Sequence, residues 1–180
     1  MLKKMLMHVC CANCVLHPYE TLKNNFDVTL YFYNPNIHPD TEYDTRLNFA
    51  KHVAEKYRLT LIEGPCDKKN WINATYDYRD GPEGAKRCEV CFNMRLEKTA
   101  IFALRNGYDI FATTLSVSPH KNSKIINNAG KLFSVKYGVE FFEADFKKQD
   151  GFKKTMLLSK ELDLYRQNYC GCVYSIRDGS

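Results

Sequence analysis

The stretch Met5-Leu-Met-His-Val-Cys-Cys-Ala-Asn-Cys14 decides the fold. Residues 5–9 are a short apolar run that reads as a first β-strand. The strand runs straight into three clustered thiols, and a helix is expected to open over 14–25. Pro18 is tolerated in that helix only near its first turn. Two lysines ahead of the apolar run imitate a secretory leader, but His8 interrupts the run and no A-x-A cleavage site follows.

Outward from this unit, strands and helices alternate. Residues 27–33 (DVTLYFY) read as a second strand, and the turn-forming loop 34–40 follows. A helix is expected from Thr41, a candidate N-cap, to Tyr57. Strand 59–62 comes next, then a helix over 67–79 and a Gly-rich, charged loop over 79–87. The clearest helix is 89–106, with Phe92, Leu96, Ala100, Ala103 and Leu104 on one face and Gly107 as its stop. Strand 109–114, a polar loop over 116–123, a helix to Tyr137, strand 139–143 and a helix over 152–166 complete the pattern. The alternation predicts an α/β Rossmann-like sandwich with a mainly parallel sheet of about five strands, in one catalytic domain over residues 1–180. Ligands in such folds sit beyond the carboxyl ends of the strands, so the loops after the first and fourth strands should open on one edge.

Composition sets bounds. A chain of 180 residues suits one domain, and 44% hydrophobic with 26% charged residues excludes disorder and collagen-like repeats. No apolar run approaches the ~18 residues of a membrane span, so a cytoplasmic protein is expected. Eight cysteines in 180 residues fall below the ~8–10% of a secreted disulfide scaffold. Cytosolic thiols at close spacing point instead to metal binding or catalysis.

Seven of the eight cysteines fall into three groups: Cys10, Cys11 and Cys14; Cys88 and Cys91; Cys170 and Cys172. Cys88-Glu-Val-Cys91 has the two-residue gap that lets two thiolates reach one ion or cluster. Together the first two groups satisfy a Cys₄ requirement, zinc or iron–sulfur, and the absence of paired zinc knuckles tilts toward a cluster. Cys10 and Cys11 could also be small core residues. Cys170-Gly-Cys172 is awkward for tetrahedral chelation, but glycine permits a small, reducible disulfide ring. A two-electron dithiol is the reading, with extra metal ligands or an inert tail as alternatives. Cys66 reads as a plain buried thiol.

The motifs HVCCANC (8–14), YFYNPNIHPDTEYDTR (31–46), RCEVCFNMRLEKTA (87–100), TTLSVSPHKNS (113–123), DFKKQDGFKKT (145–155) and SKELDLYRQNYCGCVYS (159–175) resemble the QueH-type epoxyqueuosine reductases. The resemblance spans nearly the whole chain. One departure is Asn13, where many relatives carry Pro. The resemblance implies an adenine-nucleotide-hydrolase-like fold and reduction of epoxyqueuosine to queuosine at the tRNA wobble position. It implies a 4Fe–4S cluster on Cys10, Cys11, Cys88 and Cys91, and a redox-active disulfide between Cys170 and Cys172. Cys14 falls inside the motif, with a second, mononuclear iron as a candidate role.

That reaction needs two electrons and two protons. Candidate proton donors beside the motifs are His8, His120, Asp145 and Tyr169. Lys86, Arg87, Lys121, Lys124, Lys147, Lys148, Lys153, Lys154 and Arg166 flank the motifs and suit RNA phosphates, within a net charge of +5. The expected partners are a tRNA and an unidentified electron donor, with no membrane. An ATP-using rival would need a glycine-rich loop after the first strand, and here that loop is Cys-Cys-Ala-Asn-Cys. A zinc-stabilised RNA-binding module without redox catalysis remains the alternative, but it leaves Cys-Gly-Cys unexplained.

Overall fold

The strand that opens the chain, β1 (Lys3–His8), lies at the centre of a five-stranded parallel sheet. The structure, a computed structural model, describes residues 1–176. The other strands are β2 (Phe26–Phe32), β3 (Leu61–Glu63), β4 (Ile110–Thr113) and β5 (Glu140–Phe141). Their order across the sheet is β3-β2-β1-β4-β5. Met5 stands opposite Val28 on one side and Ile110 on the other.

From Met5 on, both faces of β1 are buried, which explains the apolar Met5-Leu-Met stretch before His8. Met5, Met7 and Val9 join one core, covered by α1 (Asn13–Leu22), α2 (Asp40–Tyr57) and α6 (Gly151–Glu161). Leu6 joins the other, covered by α4 (Lys86–Arg105) and α5 (Ser123–Tyr137). A short helix, α3 (Lys68–Thr75), packs against α4. The chain builds outward from β1 to β3, then returns to place β4 on the other side. That reversal puts the switch point between β1 and β4, where the loops Val9–Ala12 and 114–122 open together as expected.

Several local expectations change. The helix expected over 67–79 ends at Thr75 and continues as a 3₁₀ turn, Tyr76–Tyr78. Strand 139–143 shrinks to Glu140–Phe141, an edge strand with one neighbour. The helix expected to reach residue 166 stops at Glu161. The start of the polar loop 116–123 is a buried 3₁₀ turn, Thr114–Val117, stitched by the Leu115 N–H donating to Thr113 Oγ1. Thr41 is not the cap of α2, which begins at Asp40 after Pro39. Leu104 faces solvent at 52% exposure, beyond the edge of the buried stripe of α4. Pro18 sits in the second turn of α1 and leaves the Cys14 carbonyl without its usual helical donor. Cys66 is exposed, because it lies in the loop after β3 that no helix covers.

α6 starts at an unusually close approach. A Cβ on Gly151 would run into the Phe146 carbonyl and the His17 ring. Gly151→Ala should therefore destabilise the protein by about 1–3 kcal/mol, an overpacking cost read as a lower thermal midpoint. An unchanged midpoint would contradict the packing.

Candidate active site

The first thiol group forms where β1 ends and α1 begins. The Sγ atoms of Cys10, Cys11 and Cys14 lie within 4.8 Å of one another, an arrangement able to hold a metal ion. Cys10 is held well below the ordinary thiol range by hydrogen bonds from Cys11 and Cys14, aided by the charges of Lys121 and Arg95. Cys11 is pushed up to about 12, chiefly by its hydrogen bond to Cys10. Cys14 is raised by its hydrogen bonds to the same two neighbours. The shortest contact in the group is Cys11 Sγ to Cys14 Sγ at 2.6 Å, against 3.8 Å between Cys10 and Cys11.

The second group rides on the first turns of α4, where the one-turn spacing of Cys88 and Cys91 puts both on one face. The Gly84 N–H donates to Cys88 Sγ at 3.2 Å. Burial pushes the Cys88 thiol up. Cys88 packs against the core that holds Cys10, Cys11 and Cys14, whereas Cys91 packs with Trp71 and Cys172. The three groups are therefore neighbours around one hollow.

One turn beyond Cys91, the same face of α4 carries Arg95, 2% exposed. Its Nε donates to His8 Nε2 at 3.2 Å and its Nη2 to Asn34 Oδ1 at 2.5 Å. Asn34 in turn donates to the Val9 carbonyl at 2.9 Å. His8 Nε2 lies between the Arg95 Nε–H at 3.2 Å and the Tyr33 carbonyl at 3.1 Å, and Nδ1 lies 2.9 Å from Thr113 Oγ1, so the tautomer decides which neighbour each nitrogen serves. Burial, with the Arg95 charge beside it, lowers His8 to about 3. His8 is thus neutral and fully enclosed beside Arg95.

The third group sits on the irregular tail after α6. Arg46 on α2 donates to the carbonyls of Tyr169 at 3.0 Å and Cys170 at 3.1 Å, and its Nε pairs with Glu42 at 2.6 Å. The His38 N–H donates to the Gly171 carbonyl at 2.8 Å. Gly171 adopts φ +97°, and a Cβ there would press on Ile37 and on Arg46. The tail is bolted down by side chains in place of a ladder.

The hollow has two parts. A cavity of about 30 Å³ is lined by Cys88, Cys91, Cys170, Cys172, Trp71 and Arg87, among others. A cavity of about 400 Å³ is lined by Cys10, Cys14, Cys170, Arg95, Tyr169 and Phe152, among others. His120 and Lys121 line both. Burial works against the Lys121 ammonium, but Cys10, Cys14 and Cys170 hold it above its usual range.

Of the other expected proton donors, His120 borders the hollow. Asp145 lines neither part, and hydrogen bonds from Ser123 and Lys147 hold it ionised against the effect of burial. The Tyr169 hydroxyl donates to the His38 carbonyl, and burial raises it. Arg87 is a buried strut rather than a free phosphate contact. Its Nη1 donates to the carbonyls of Arg79 at 2.7 Å and Gly81 at 2.6 Å. Lys86 pairs with Glu89. Arg46, Asn34 and Trp71 were not singled out from sequence. In the sequence, Arg95 stands apart from the other charges of its helix only by its place four residues after Cys91.

A thiolate-bound iron–sulfur group is anionic, and the residues fit one. Arg95 and Lys121 bring positive charge to the thiols, while the side-chain partners of Arg95 are neutral. In addition, Trp71 Nε1 and Arg87 Nε are buried donors without an acceptor, both on side chains lining the Cys88 and Cys91 cavity. Sulfur is an acceptor they could use.

Residues 5–178 match the family described as epoxyqueuosine reductase QueH. Epoxyqueuosine reductase QueH of Thermotoga maritima is 43% identical over 175 residues, covering 96% of this chain and 90% of that protein. The Streptococcus pyogenes protein of the same name is 38% identical over 179 residues, covering 96% and 70%. That of Dehalococcoides mccartyi is 36% identical over 176 residues, covering 97% and 93%. Among solved structures, a chain described as a predicted subunit of tRNA methyltransferase from Methanocaldococcus jannaschii superposes with a TM-score of 0.58 at 15% identity, covering 87% of this chain and 76% of that one. The U34-tRNA thiolase NcsA from Methanococcus maripaludis, solved with its 4Fe-4S cluster, gives 0.53 at 14% identity, covering 99% and 60%. These two likenesses bear on the fold alone. With its thiol groups gathered at the switch point and the family match running over residues 5–178, the chain belongs to the QueH family of epoxyqueuosine reductases.

Proposed function

We propose that this chain reduces epoxyqueuosine to queuosine at the wobble position of a tRNA, in one catalytic domain over residues 1–180. Residues 177–180 of that span lie outside the described residues. The observation that carries the reading is the meeting of Cys88, Cys91, Cys170 and Cys172 around one cavity, next to Cys10 and beside Lys121 and Arg95. The zinc-stabilised RNA-binding alternative is not favoured, since relatives matched over nearly the full chain are named reductases.

Cys10, Cys11, Cys88 and Cys91 would hold a 4Fe–4S cluster, leaving Cys14 for a second, mononuclear iron. Such a centre supplies single electrons and a Lewis-acidic iron when bound. The chain itself supplies the two-electron couple. Opening an epoxide to an alkene takes two electrons and two protons and releases water. Oxidation of the Cys170 and Cys172 thiols to a disulfide yields two electrons and two protons, so the exchange balances. An external electron donor must then reopen the disulfide. His120, on the rim of both cavities, is placed to pass the proton to the leaving oxygen.

The two tail thiols are unequal. Cys170 is lowered to about 5 by a hydrogen bond from Cys172, with Ser175 Oγ at 3.0 Å, the Cys172 N–H at 3.4 Å and the Lys121 charge assisting against burial. Cys172 is pushed up, chiefly by the same hydrogen bond. Cys170 is therefore the ionised member of the pair and Cys172 the protonated one. The larger cavity admits Cys170 but not Cys172.

Two outcomes are expected. The Cys170→Ser, Cys172→Ser double variant should keep iron–sulfur absorbance at about 400 nm and lose multiple turnover; full turnover would remove the dithiol from the reaction. In metal-free, reduced protein, alkylation of Cys170 mapped by mass spectrometry should change little between pH 8 and pH 6. It should fall about tenfold by pH 4, whereas an ordinary thiol loses most of its reactivity before pH 6. Loss of reactivity already between pH 8 and 6 would show that Cys170 is not the thiolate.

A further inference from the structure

The larger cavity has a buried floor and an open rim. Cys10, Cys14 and Arg95 at the floor are 8%, 9% and 2% exposed, while Phe152 on its lining is 38% exposed. Phe152 belongs to none of the hydrophobic cores, so folding leaves a whole aromatic ring at the mouth of the site. Scattered exposed apolar residues are common and need no explanation on their own. The backbone that places this one is different.

Gln149 and Asp150, which lead into α6, adopt φ of +52° and +60°. Neither is glycine, and such conformations are costly for side-chain-bearing residues and persist where the surroundings enforce them. Gly151 then presses against the Phe146 carbonyl and His17 so closely that no other residue fits. Phe152 follows at once, with its orientation set by this turn. Met156, one helical turn on, lines the same cavity and extends the apolar wall, and Arg166 lines it as well. Lys153 and Lys154 follow Phe152 in the chain. A ring at the mouth of a cavity, with cations close by in the chain and across the cavity, is the arrangement that receives an unstacked base while its backbone stays in the charged surroundings.

We propose that Phe152 is the stacking platform for the base of the nucleotide being reduced. The inference rests on the proposed function. The modified arm must reach the thiols at the floor, and the base that carries it then lies at the rim. The ring gives placement without reading the base's edges.

Binding of an anticodon stem-loop RNA tests this, with the wobble base either present or removed to leave an abasic site. Phe152→Ala should weaken binding of the intact loop by about 5- to 150-fold, the span of one base–aromatic stack. It should bind the abasic loop as wild type does. Phe152→Trp should restore intact-loop binding. Phe152→Leu, which keeps apolar bulk and guards against a folding defect, should behave like alanine. Wild-type affinity of the alanine variant for the intact loop overturns the proposal. So does an equal loss on both RNAs, or rescue by leucine. A wild type that binds neither loop overturns the stacking role together with the reading beneath it. A wild type that passes the binding test but does not reduce epoxyqueuosine-containing tRNA overturns the reading alone and leaves the stacking site standing.

Discussion

The Arg95 guanidinium is a full charge buried among neutral hydrogen-bond partners, and the active site is arranged around that constraint. An uncompensated buried charge costs several kcal/mol. His8 and Asn34 orient it without neutralising it. The negative charge within its field is the Cys10 thiolate, which Arg95 in turn helps to hold ionised. The same contacts tie α4 to the ends of β1 and β2, and His8 ties β1 to β4 through Thr113. The residue that balances the charge of the thiols therefore also locks the strands at the switch point.

The tail obeys a different logic. Cys170 and Cys172 sit on a segment without regular secondary structure, so no ladder fixes them. Arg46 does so by donating to two consecutive carbonyls, with Glu42 as its counter-ion and the Tyr165 hydroxyl donating to that carboxylate at 2.8 Å. Asn13 adds a second anchor. Its Nδ2 donates to the Tyr165 carbonyl at 2.9 Å and its Oδ1 accepts from Ser159 at 2.8 Å. A proline there could make neither contact. One backbone bond joins these side chains, from the His38 N–H to the Gly171 carbonyl.

The alternation of strands and helices was legible because each element advertises its own period and punctuation. The thiol groups were legible for a similar reason: spacings such as Cys88-x-x-Cys91 are local. What failed to show was set by packing between distant parts. The exposure of Cys66 follows from the helices leaving the β3 loop uncovered, and the burial of Thr114–Val117 follows from its place at the switch point. Arg46 meets Cys170 across 124 residues and Arg95 meets His8 across 87. No periodicity reports such pairs. His8 illustrates the difference most sharply. Beside the cysteine motif it resembles an acid–base group, and only its enclosure between Arg95 and Thr113 makes it neutral.

The same distinction governs the basic residues. A net charge of +5 says how many cations exceed anions, not which of them face a partner. Arg87 spends its donors on the backbone of the loop before α4, and its ring neighbour is Tyr174 of the tail at 5.3 Å. Lys147 is tied to Asp145 and to the Lys121 carbonyl. These cations shape the site from within. Lys121 stands between the first thiol group and Cys170, so its charge favours anions at the floor, whether thiolates or a departing oxygen. Arg166 lines the larger cavity and is exposed, as Phe152 is. The buried cations therefore bear on the thiols, while Arg166 and Phe152 stand where the cavity meets solvent.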